Sequence, residues 1–384
     1  MKKQKICIIG GGLTGLVTAI SLSKLDYEID LITGNSSHNL QNNGTIAISE
    51  NNLNFLNKLN ISKSLKENLW PCTKMKLYTE IKNQDFLEVF ELNKESSKKK
   101  ILYMLENSKI IKLLINKIKN IKSISVKKNK KILSISTSGL LKSVKFEKGN
   151  SNSKYNLIII CVSHGSSLIK KLFNNKVIKN SYGESAITTV LAHSRFKNNI
   201  ARQIFLDNEI LALLPISHTK TAIVWSVKNS LVKRNKIFIK NKIKLYAKNY
   251  LKNIKFETNI ESKDLNLLIR NKYYLDRILL FGDALHVMHP FIGQGFNMTL
   301  RDLASLEKIL IKKENLGLDI GSKDVLSEFS SKVKPRNFSF SIASDLLKSS
   351  LNIKRARNDV LKILSKSDFA KNLLFNLADK GFKF

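Results

Sequence analysis

The sequence of 384 residues is poor in cysteine, proline and long apolar runs, and each shortage excludes a class of protein. Its three cysteines, Cys7, Cys72 and Cys161, lie far apart, so neither a disulfide scaffold nor a cysteine-based metal site is expected. We expect them to be small buried hydrophobic residues in a reducing cytoplasm. The four prolines mark no linker between separate domains. The longest apolar runs, near 5–10 and 156–162, have the length of strands and are too short to span a membrane.

Acidic residues are scarce as well: 30 Asp and Glu stand against 66 Lys and Arg, which gives a formal net charge of +36. Such a charge could attract nucleic acid or an anionic membrane surface. The excess is mostly lysine spread along the whole chain, and dense blocks at 94–100 and 126–131 fall where loops are expected, so we favour a bias of composition. A nucleic-acid-binding protein is the weaker alternative, because no binding module is recognisable.

What the sequence does contain is a βαβ unit at its start. A buried strand at 5–10 is followed by a helical pattern at 13–25 and a second strand at 28–33. The turn between the first strand and the helix reads GGGLTG, residues 10–15, which is a GxGxxG pattern. In this position the pattern is typical of dinucleotide binding.

Each glycine of the GxGxxG turn has an expected part. Gly10 would permit the tight turn, Gly12 would let the backbone approach a pyrophosphate, and Gly15 would allow the helix to pack closely on the strand. In such folds an acidic residue usually ends the second strand and binds a ribose. Here the strand ends at Thr33, whose hydroxyl is a weaker partner than a carboxylate.

The middle of the chain is predicted to be rich in strands. Alternating segments at 73–79 and 85–91 predict a β-hairpin, and the pattern from 186 to 227 is wholly β. We expect these strands to form an antiparallel sheet whose inner face roofs a pocket. Helices are predicted in four further places: near 51–59, at 107–119, at 235–253 and beyond 320.

A second motif, GDALHVMHPFIGQGFNMTLRD, occupies residues 282–302. It follows the strand RILLF at 277–281 and leads into an amphipathic helix at 297–310. A strand, a tight polar turn and a helix N-terminus form a geometry in which backbone N–H groups face an anion or a polar ligand. The motif therefore predicts a binding site.

With GxGxxG at the start and GD…HP..GQG..N late in the chain, the sequence resembles the group A flavoprotein monooxygenases. More narrowly, it resembles the ubiquinone-biosynthesis hydroxylases of the UbiH/COQ6 type, over nearly its full length. The segment 45–65 has the shape of the family's segment after the second strand. The run 211–227 resembles its central-sheet motif, with Pro215 and Trp225 in the expected places.

The resemblance implies an α/β fold with a helical C-terminus. A GxGxxG FAD-binding, Rossmann-like domain would be assembled from discontinuous segments, with a β-sheet substrate domain inserted between them. The implied FAD-binding domain comprises 1–72, 100–180 and 266–315, the substrate domain 73–99 and 181–265, and the C-terminal helical region 316–384.

The resemblance also implies roles for the residues of both motifs. Asp283 would contact the ribityl and pyrophosphate region of FAD, and Pro290 with the turn at 293–295 would lie against the isoalloxazine. Asn297 would fix the turn at the start of the helix. The implied FAD-binding residues are Gly10, Gly12, Leu13, Thr14, Gly15, Thr33, Gly282, Asp283, Pro290, Gly293, Gln294, Gly295, Phe296 and Asn297.

The implied reaction is hydroxylation of a polyprenylated phenol by a flavin C4a-hydroperoxide, with O2 and NAD(P)H as co-substrates. The cofactor performs the difficult step, so the protein has to orient the ring, exclude water and favour the phenolate. His289 and Pro290 are the candidate catalytic residues beside the ring, although a turn-stabilising role for His289 stands as an equal alternative. His286 and His164 are expected to be structural, and no metal site is expected.

Four places depart from the family's pattern, all at the adenosine and pyrophosphate end. Losing several charge-assisted hydrogen bonds, at about 1.5–3 kcal/mol each, would weaken FAD binding by orders of magnitude. Two interpretations follow: a divergent but active hydroxylase, which the intact ring-facing motif favours, or a non-catalytic subunit of a quinone-biosynthesis complex. The departures are Thr33 in place of an acidic residue, no arginine in 42–45, Val162-Ser163 in place of Asp-Gly, and Ile110-Ile111 near an expected arginine.

A polyprenylated substrate partitions into lipid, which bears on where the chain works. The N-terminus enters a strand almost at once, so no signal peptide is expected and the protein is predicted to be cytoplasmic. We expect peripheral contact with the inner face of a membrane, or delivery of substrate by other ubiquinone-biosynthesis proteins. The basic surface and the C-terminal amphipathic helices suit such contact, although core packing explains those helices equally well.

Overall fold

The computed structural model describes residues 3–34, 44–61, 65–81, 85–94, 100–147, 153–173, 177–290, 293–352 and 379. Two large sheets and two small ones organise this part of the chain. The eight α-helices of the described residues are α1 (Leu13–Leu22), α2 (Glu50–Lys58), α3 (Asn107–Lys119), α4 (Ser167–Leu172), α5 (Asn229–Val232), α6 (Lys236–Ala247), α7 (Gly295–Glu314) and α8 (Lys323–Asn352).

The first large sheet has six strands and contains the predicted βαβ unit. Its neighbouring strands are parallel except for one antiparallel pair at the edge. Its central strands are apolar and buried because helices cover parallel sheets on both faces. In spatial order the strands are β8 (Ile124–Lys128), β2 (Glu28–Thr33), β1 (Lys5–Ile9), β12 (Leu157–Ile160), β20 (Ile278–Leu280) and β19 (Tyr274–Leu275).

The second large sheet has nine strands and contains the segments predicted to be β. The hairpin predicted at 73–79 and 85–91 is confirmed, and all pairs are antiparallel except β14 (Ile200–Phe205) with β5 (Lys74–Glu80). In spatial order the strands are β21 (His286–Val287), β18 (Glu261–Arg270), β13 (Val177–Ala192), β16 (Lys220–Lys228), β15 (Ile210–Pro215), β14 (Ile200–Phe205), β5 (Lys74–Glu80) and β6 (Phe86–Asn93), with β17 (Lys255–Phe256) beside β13.

Two three-stranded sheets complete the β-structure, and the sequence did not predict the first of them. That sheet consists of β3 (Thr45–Ile48), β7 (Leu102–Glu106) and β4 (Trp70–Cys72). The other consists of β9 (Ile132–Ser138), β10 (Leu141–Phe146) and β11 (Ser153–Tyr155).

The two faces of the nine-stranded sheet have different neighbours. One face packs against α6 and buries Trp225 completely, together with Ile204 and Ile223. The opposite face contributes Ala201 and Ala222 to a cluster shared with β4 and β7 of the small sheet. Successive side chains of a strand point to opposite faces, so a polar residue on this second face lies toward the small sheet.

The mixed α/β architecture and the helical C-terminal region agree with the predicted fold class. Helix α8 runs from Lys323 to Asn352, whereas the helical pattern predicted at 369–382 lies outside the described residues except for residue 379. The domain boundaries stay a prediction. The nine-stranded sheet reaches slightly beyond the proposed substrate segments, since β13 begins at Val177 and β18 ends at Arg270.

Two further predictions from the sequence concern the cysteines and membrane-spanning segments. The three cysteines are free and buried, as predicted. Burial raises the pKa of the Cys161 thiol to about 12, which keeps the thiol protonated. In the described ranges, no helix combines the length and the apolar character that crossing a membrane requires.

Candidate active site

The GxGxxG turn is shaped by two close approaches of backbone. Gly10 has φ of +132°, and a Cβ there would lie 2.7 Å from the carbonyl oxygen of Cys161. A Cβ at Gly15 would lie 1.9 Å from the carbonyl oxygen of Gly10, so only glycine lets α1 sit this close to the turn. The packing roles predicted for Gly10 and Gly15 are therefore present in the structure.

The outer side of the same turn is open. A Cβ at Gly12 would meet nothing within 4 Å. Gly12 is the N-cap of α1, no side chain caps this helix end, and its first turn holds no acidic residue. The first backbone N–H groups of α1 are thus directed at open space, where the partial positive charge of a helix N-terminus favours an anion.

The second motif meets the first at this turn. Gly282 has φ of +62°, and a Cβ there would lie 2.7 Å from Cγ2 of Thr14. Residues Gly282–Ala284 form a short 3-10 turn that leaves Asp283 exposed. Buried Arg270 holds the turn in place, because its Nε donates a 2.7 Å hydrogen bond to the carbonyl of Ala284.

The glutamine–glycine part of the second motif forms its own turn. The Gly293 N–H donates a 2.9 Å hydrogen bond to the carbonyl of Pro290. Asn297, which is completely buried, ties this turn to the start of α2: its Nδ2 donates to the carbonyls of Ala47 at 2.7 Å and Gly293 at 3.3 Å. Its Oδ1 accepts a 3.0 Å hydrogen bond from the N–H of Ser49. Asn297 thus holds the turn, as the resemblance implied.

Helix α7, which follows this turn, also starts without a cap. Its N-cap residue, Gln294, makes no capping hydrogen bond with its side chain, and a Cβ at Gly295 would meet nothing within 4 Å. The site therefore has two uncapped helix starts, at Gly12 and at Gln294, each beside open space. This arrangement fits FAD, which carries an anionic pyrophosphate and, on its ring, a polar pyrimidine edge.

Burial divides the residues predicted to bind FAD into two groups. Those that remain accessible are able to touch a ligand, namely Gly12, Leu13, Thr14, Asp283, Pro290, Gly293, Gly295 and Phe296. Those that are buried shape the site from behind, namely Gly10, Gly15, Thr33, Gly282, Gln294 and Asn297. Direct contact with FAD stays a prediction for every residue in both groups.

The positions that depart from the family's pattern lie as follows. The side chain of Thr33 lies against the backbone of Gly11, where a Cβ would come within 2.9 Å of it. Ile110 and Ile111 belong to the hydrophobic core, so that part of α3 offers no polar contact. Ser163 is exposed at the carboxyl end of β12, and residues 42 and 43 lie outside the described ranges.

His289 is a member of a buried polar cluster. Its Nε2 lies 3.4 Å from Oε2 of Glu184, whose other oxygen pairs with Nζ of Lys348 at 2.7 Å. The His289 ring also stands edge-to-face on Tyr182, with 5.3 Å between ring centroids. Burial lowers the pKa of His289, and the hydrogen bond to Glu184 opposes this only partly. The placement fits the turn-stabilising interpretation, and a catalytic role for His289 remains a prediction.

The other two histidines have surroundings of their own. Buried His286 lies 3.4 Å from Asp302, which also accepts hydrogen bonds from Arg336 and Asn337 of α8. This placement fits a structural role for His286, which stays a prediction. Burial, followed by the charge of Lys263, lowers the pKa of His164. Within the described part of the chain, no three His, Cys, Asp or Glu residues are placed to hold a metal ion.

A small pocket of about 100 Å³ lies beside the turn that contains Pro290 and Gly293. The nine-stranded sheet forms one wall of the pocket with residues such as Ala212 and Val224, and the small sheet contributes Thr45 and others. The predicted roof over a pocket is therefore present. It adjoins the place where the flavin ring is expected.

Several residues that build the site were missed from the sequence. Arg270, Glu184 and Lys348 act through contacts that join distant parts of the chain, and Glu184 is 164 residues from Lys348. No spacing of residues in the local sequence predicts such pairs. The alternation of the strands indicated which of their residues are buried, but it gave no sign that Gln203 faces the pocket.

Comparisons with known proteins agree with this geometry. A family model described as FAD binding domain matches residues 165–335. The ubiquinone hydroxylase UbiL of Rhodospirillum rubrum is 30% identical over 177 residues, which are 43% of this chain and 40% of that protein. The mitochondrial ubiquinone biosynthesis monooxygenase COQ6 of Dictyostelium discoideum is 24% identical, with 97% of this chain and 90% of that protein covered.

Solved structures show the same fold. The p-nitrophenol 4-monooxygenase PnpA of Pseudomonas putida superposes with a TM-score of 0.81 at 13% identity, covering 100% of this chain and 99% of that one. PqsL of Pseudomonas aeruginosa, a probable FAD-dependent monooxygenase, gives a TM-score of 0.77 at 14% identity, covering 92% of this chain and 98% of that one. The similarity therefore extends over the whole architecture.

Proposed function

We propose that this chain, a flavoprotein monooxygenase of the UbiH/COQ6 type, uses FAD to hydroxylate the ring of a polyprenylated phenol in ubiquinone biosynthesis. O2 and NAD(P)H are the co-substrates typical of this class. The observation that carries the proposal is the contiguity of three parts: an open GxGxxG turn, the turn with Pro290 and Gly293, and an apolar pocket beside it.

The residues of the chain would hold the cofactor at two ends. The backbone N–H groups at the start of α1, with Gly12 and Thr14, would bind its pyrophosphate, and Asp283 would accept hydrogen bonds from its hydroxyl groups. Pro290 and Gly293 would face the isoalloxazine ring. When bound, FAD supplies the activation of O2 and the transfer of oxygen.

The protein's own contribution is to bind, to orient and to exclude water. The pocket is lined mostly by aliphatic and methionine side chains, which would enclose the phenol ring of the substrate and keep it dry. Asn297 and Arg270 fix the two turns, so the cofactor and the pocket are held in one geometry. No side-chain nucleophile is required by this division of work.

The alternative, a non-catalytic subunit of a quinone-biosynthesis complex, is supported less well. A chain without a reaction has no evident reason to keep an open helix start, a ring-facing turn and a pocket together. The polyprenyl chain of the substrate resides in lipid, so we further propose that the protein works in peripheral contact with a membrane or receives its substrate from other ubiquinone-biosynthesis proteins. The net charge of +36 suits an anionic lipid surface.

The test begins with the absorbance spectrum of the purified protein, before and after addition of FAD. We expect bound flavin, followed by NAD(P)H oxidation that depends on a prenylated phenol and yields a hydroxylated product by mass spectrometry. Failure to bind flavin at any FAD concentration would overturn the proposal and favour the non-catalytic subunit. Flavin binding without any product from a panel of prenylated phenols would overturn the substrate class and leave the flavoprotein.

A further inference from the structure

The pocket beside the Pro290 turn has a mostly apolar wall on the side of the nine-stranded sheet, where the polar residues are Gln203, Ser226 and Arg202. Met75, Ala201, Ala212, Leu214 and Val224 contribute aliphatic or thioether surface there. Among them stands the carboxamide of Gln203, whose residue is only 7% exposed. A polar group in such a place requires an explanation.

The direction of the Gln203 side chain follows from strand alternation. On β14, the preceding residue, Arg202, directs its guanidinium to the opposite face, where it lies 5.2 Å from the ring centroid of Tyr250. Gln203 therefore points to the face that carries the pocket. It is paired across the sheet with Ala212, which lines the same pocket.

The amide is not satisfied by the described residues. Nε2 of Gln203 is inaccessible to water and has no hydrogen-bond partner among them. Thr45, which lines the pocket from the small sheet, has an Oγ1 in the same state. Buried polar groups are nearly always hydrogen-bonded, and leaving one unpaired is costly. Two such atoms at one cavity indicate that the cavity is completed by a ligand that carries a polar atom.

We propose that Gln203 is the residue that recognises the ring oxygen of the substrate: its carboxamide, whose Nε2 is covered in this structure, turns toward the pocket when the ligand enters and donates a hydrogen bond to the phenol or phenolate oxygen. The inference rests on the proposed function and deepens it, since it names the group that orients the ring. A neutral amide suits this place, because it costs less to bury than a lysine or arginine and still stabilises a phenolate. Holding the oxygen also fixes which ring carbon faces the cofactor.

The test compares the parent and one variant with two ligands and adds a control variant. The proteins are the parent and Gln203→Met, which keeps the volume of the side chain and removes its amide. The ligands are a short-chain prenylated phenol and the same molecule without the phenolic oxygen. Dissociation constants are measured through the perturbation of bound-flavin absorbance, so no turnover is needed. Arg202→Met is the control: the residue also borders the pocket, but the guanidinium that this change removes lies over Tyr250 on the opposite face.

We expect Gln203→Met to bind FAD as the parent does and to bind the phenol about 10- to 100-fold more weakly, whereas binding of the deoxygenated ligand stays the same. The fraction of NAD(P)H oxidation that yields hydroxylated product should fall, with the remainder appearing as hydrogen peroxide. Arg202→Met should leave the affinity for the phenol as in the parent.

Three results would overturn the assignment. The first is an unchanged affinity for the phenol in Gln203→Met. The second is an equal loss for both ligands, which would point to a change of shape. The third is an equal loss in Arg202→Met. A parent protein that binds no flavin, or no phenol, would overturn the proposed function itself. Flavin and phenol binding by the parent are therefore measured before any variant is compared.

Discussion

The helix that follows the first strand packs closely on the turn before it through Gly15 and Gly10. Gly15 stands so close to Gly10 that a Cβ on Gly15 would lie 1.9 Å from the Gly10 carbonyl oxygen. Three residues earlier, at the N-cap of the helix, the situation is reversed, because a Cβ on Gly12 would meet nothing within 4 Å. The same motif thus contains one glycine needed for packing and one that leaves room for a ligand.

The contrast between Gly15 and Gly12 predicts that a substitution at the first lowers stability and one at the second weakens FAD binding. We expect Gly15→Ala to lower the free energy of unfolding by roughly 3 kcal/mol or to prevent folding, since the backbone has to move to admit the methyl group. Gly12→Ala should change the stability by less than about 1 kcal/mol and weaken FAD binding, because the methyl group enters the open space at the helix start. Urea unfolding and FAD titration measure the two effects. Equal stability of the two variants would contradict the packing argument.

Asn297 is predicted to be the anchor of the ring-facing turn. Asn297→Ala removes the acceptor of the Ser49 N–H and the donor to the Ala47 carbonyl, both in the interior. We expect a loss of roughly 3 kcal/mol in the free energy of unfolding, together with weaker FAD binding. Thr299→Val serves as the control in the same helix, since it removes only a 3.3 Å hydrogen bond to the carbonyl of Gly295 and should cost about 1 kcal/mol. Similar losses in the two variants would show that Asn297 is no special anchor.

Two aspartates of the late motif should behave in opposite ways. Asp283 is exposed, so Asp283→Asn is expected to leave the free energy of unfolding within about 0.5 kcal/mol and to weaken FAD binding roughly tenfold. Asp302 is completely buried between His286, Arg336 and Asn337. Asp302→Asn should cost about 3 kcal/mol of stability, because the completely buried Asp302 loses its charge and partly buried Arg336 loses its counter-charge. Thermal unfolding of the apoprotein and FAD titration distinguish the two residues, and a large loss of stability in Asp283→Asn would argue against a ligand role.

The cluster around His289 predicts that acid weakens the fold. Burial alone would raise the pKa of Glu184, but hydrogen bonds from His289 and Lys348 outweigh burial and lower it. Burial lowers the pKa of His289. Both groups therefore bind protons more readily in the unfolded chain, so their stabilisation is complete above the unfolded pKa values, about 6.5 for His and about 4.3 for Glu, and is lost as the pH falls. The free energy of unfolding should decrease from about pH 7 to about pH 5, and a flat profile would contradict the assignment.

The lysine of this cluster gives a matched comparison. Lys348→Met leaves Glu184 buried without its cation and should lower the free energy of unfolding by about 3 kcal/mol. Lys312 forms a pair with Glu328 at 3.8 Å, but its side chain is 67% exposed. Lys312→Met is therefore expected to change stability by less than about 0.5 kcal/mol. Urea unfolding at neutral pH measures both, and a loss in Lys348→Met no larger than in Lys312→Met would show that the buried pair does not stabilise the fold.

The sequence predicted those parts of the fold whose signals lie within a few neighbouring residues. The βαβ unit, the hairpin and α7 all have a periodicity or a turn signal within a few residues, and each was found where it was expected. The short strands β3, β4 and β7 were missed. They are three to five residues long, and they become strands through pairing with segments up to about sixty residues away.

The same distinction holds for the site. The glycines of both turns could be predicted because backbone geometry restricts the residue type, whereas the partners of Asn297, His289 and Arg270 could not. Ser49 lies 248 residues from Asn297, and no pattern in either segment predicts that the two residues are in contact. The position of Gln203 in the pocket could not be predicted for a further reason. An isolated polar residue in a strand has the same sequence pattern whether it faces water, a partner or a ligand.

The 3-10 turn at Gly282–Ala284 has a consequence for how the molecule could be divided. The chain leaves the parallel sheet at β20, makes this turn, and enters the nine-stranded sheet at β21 without any spacer. A fragment ending before the turn would deprive β18 of β21, one of its two neighbours, and removing β20 together with the turn would leave β12 with an unpaired edge. The two sheets are therefore not interchangeable modules, and we expect insertions to be tolerated at the hairpin tips rather than at this turn.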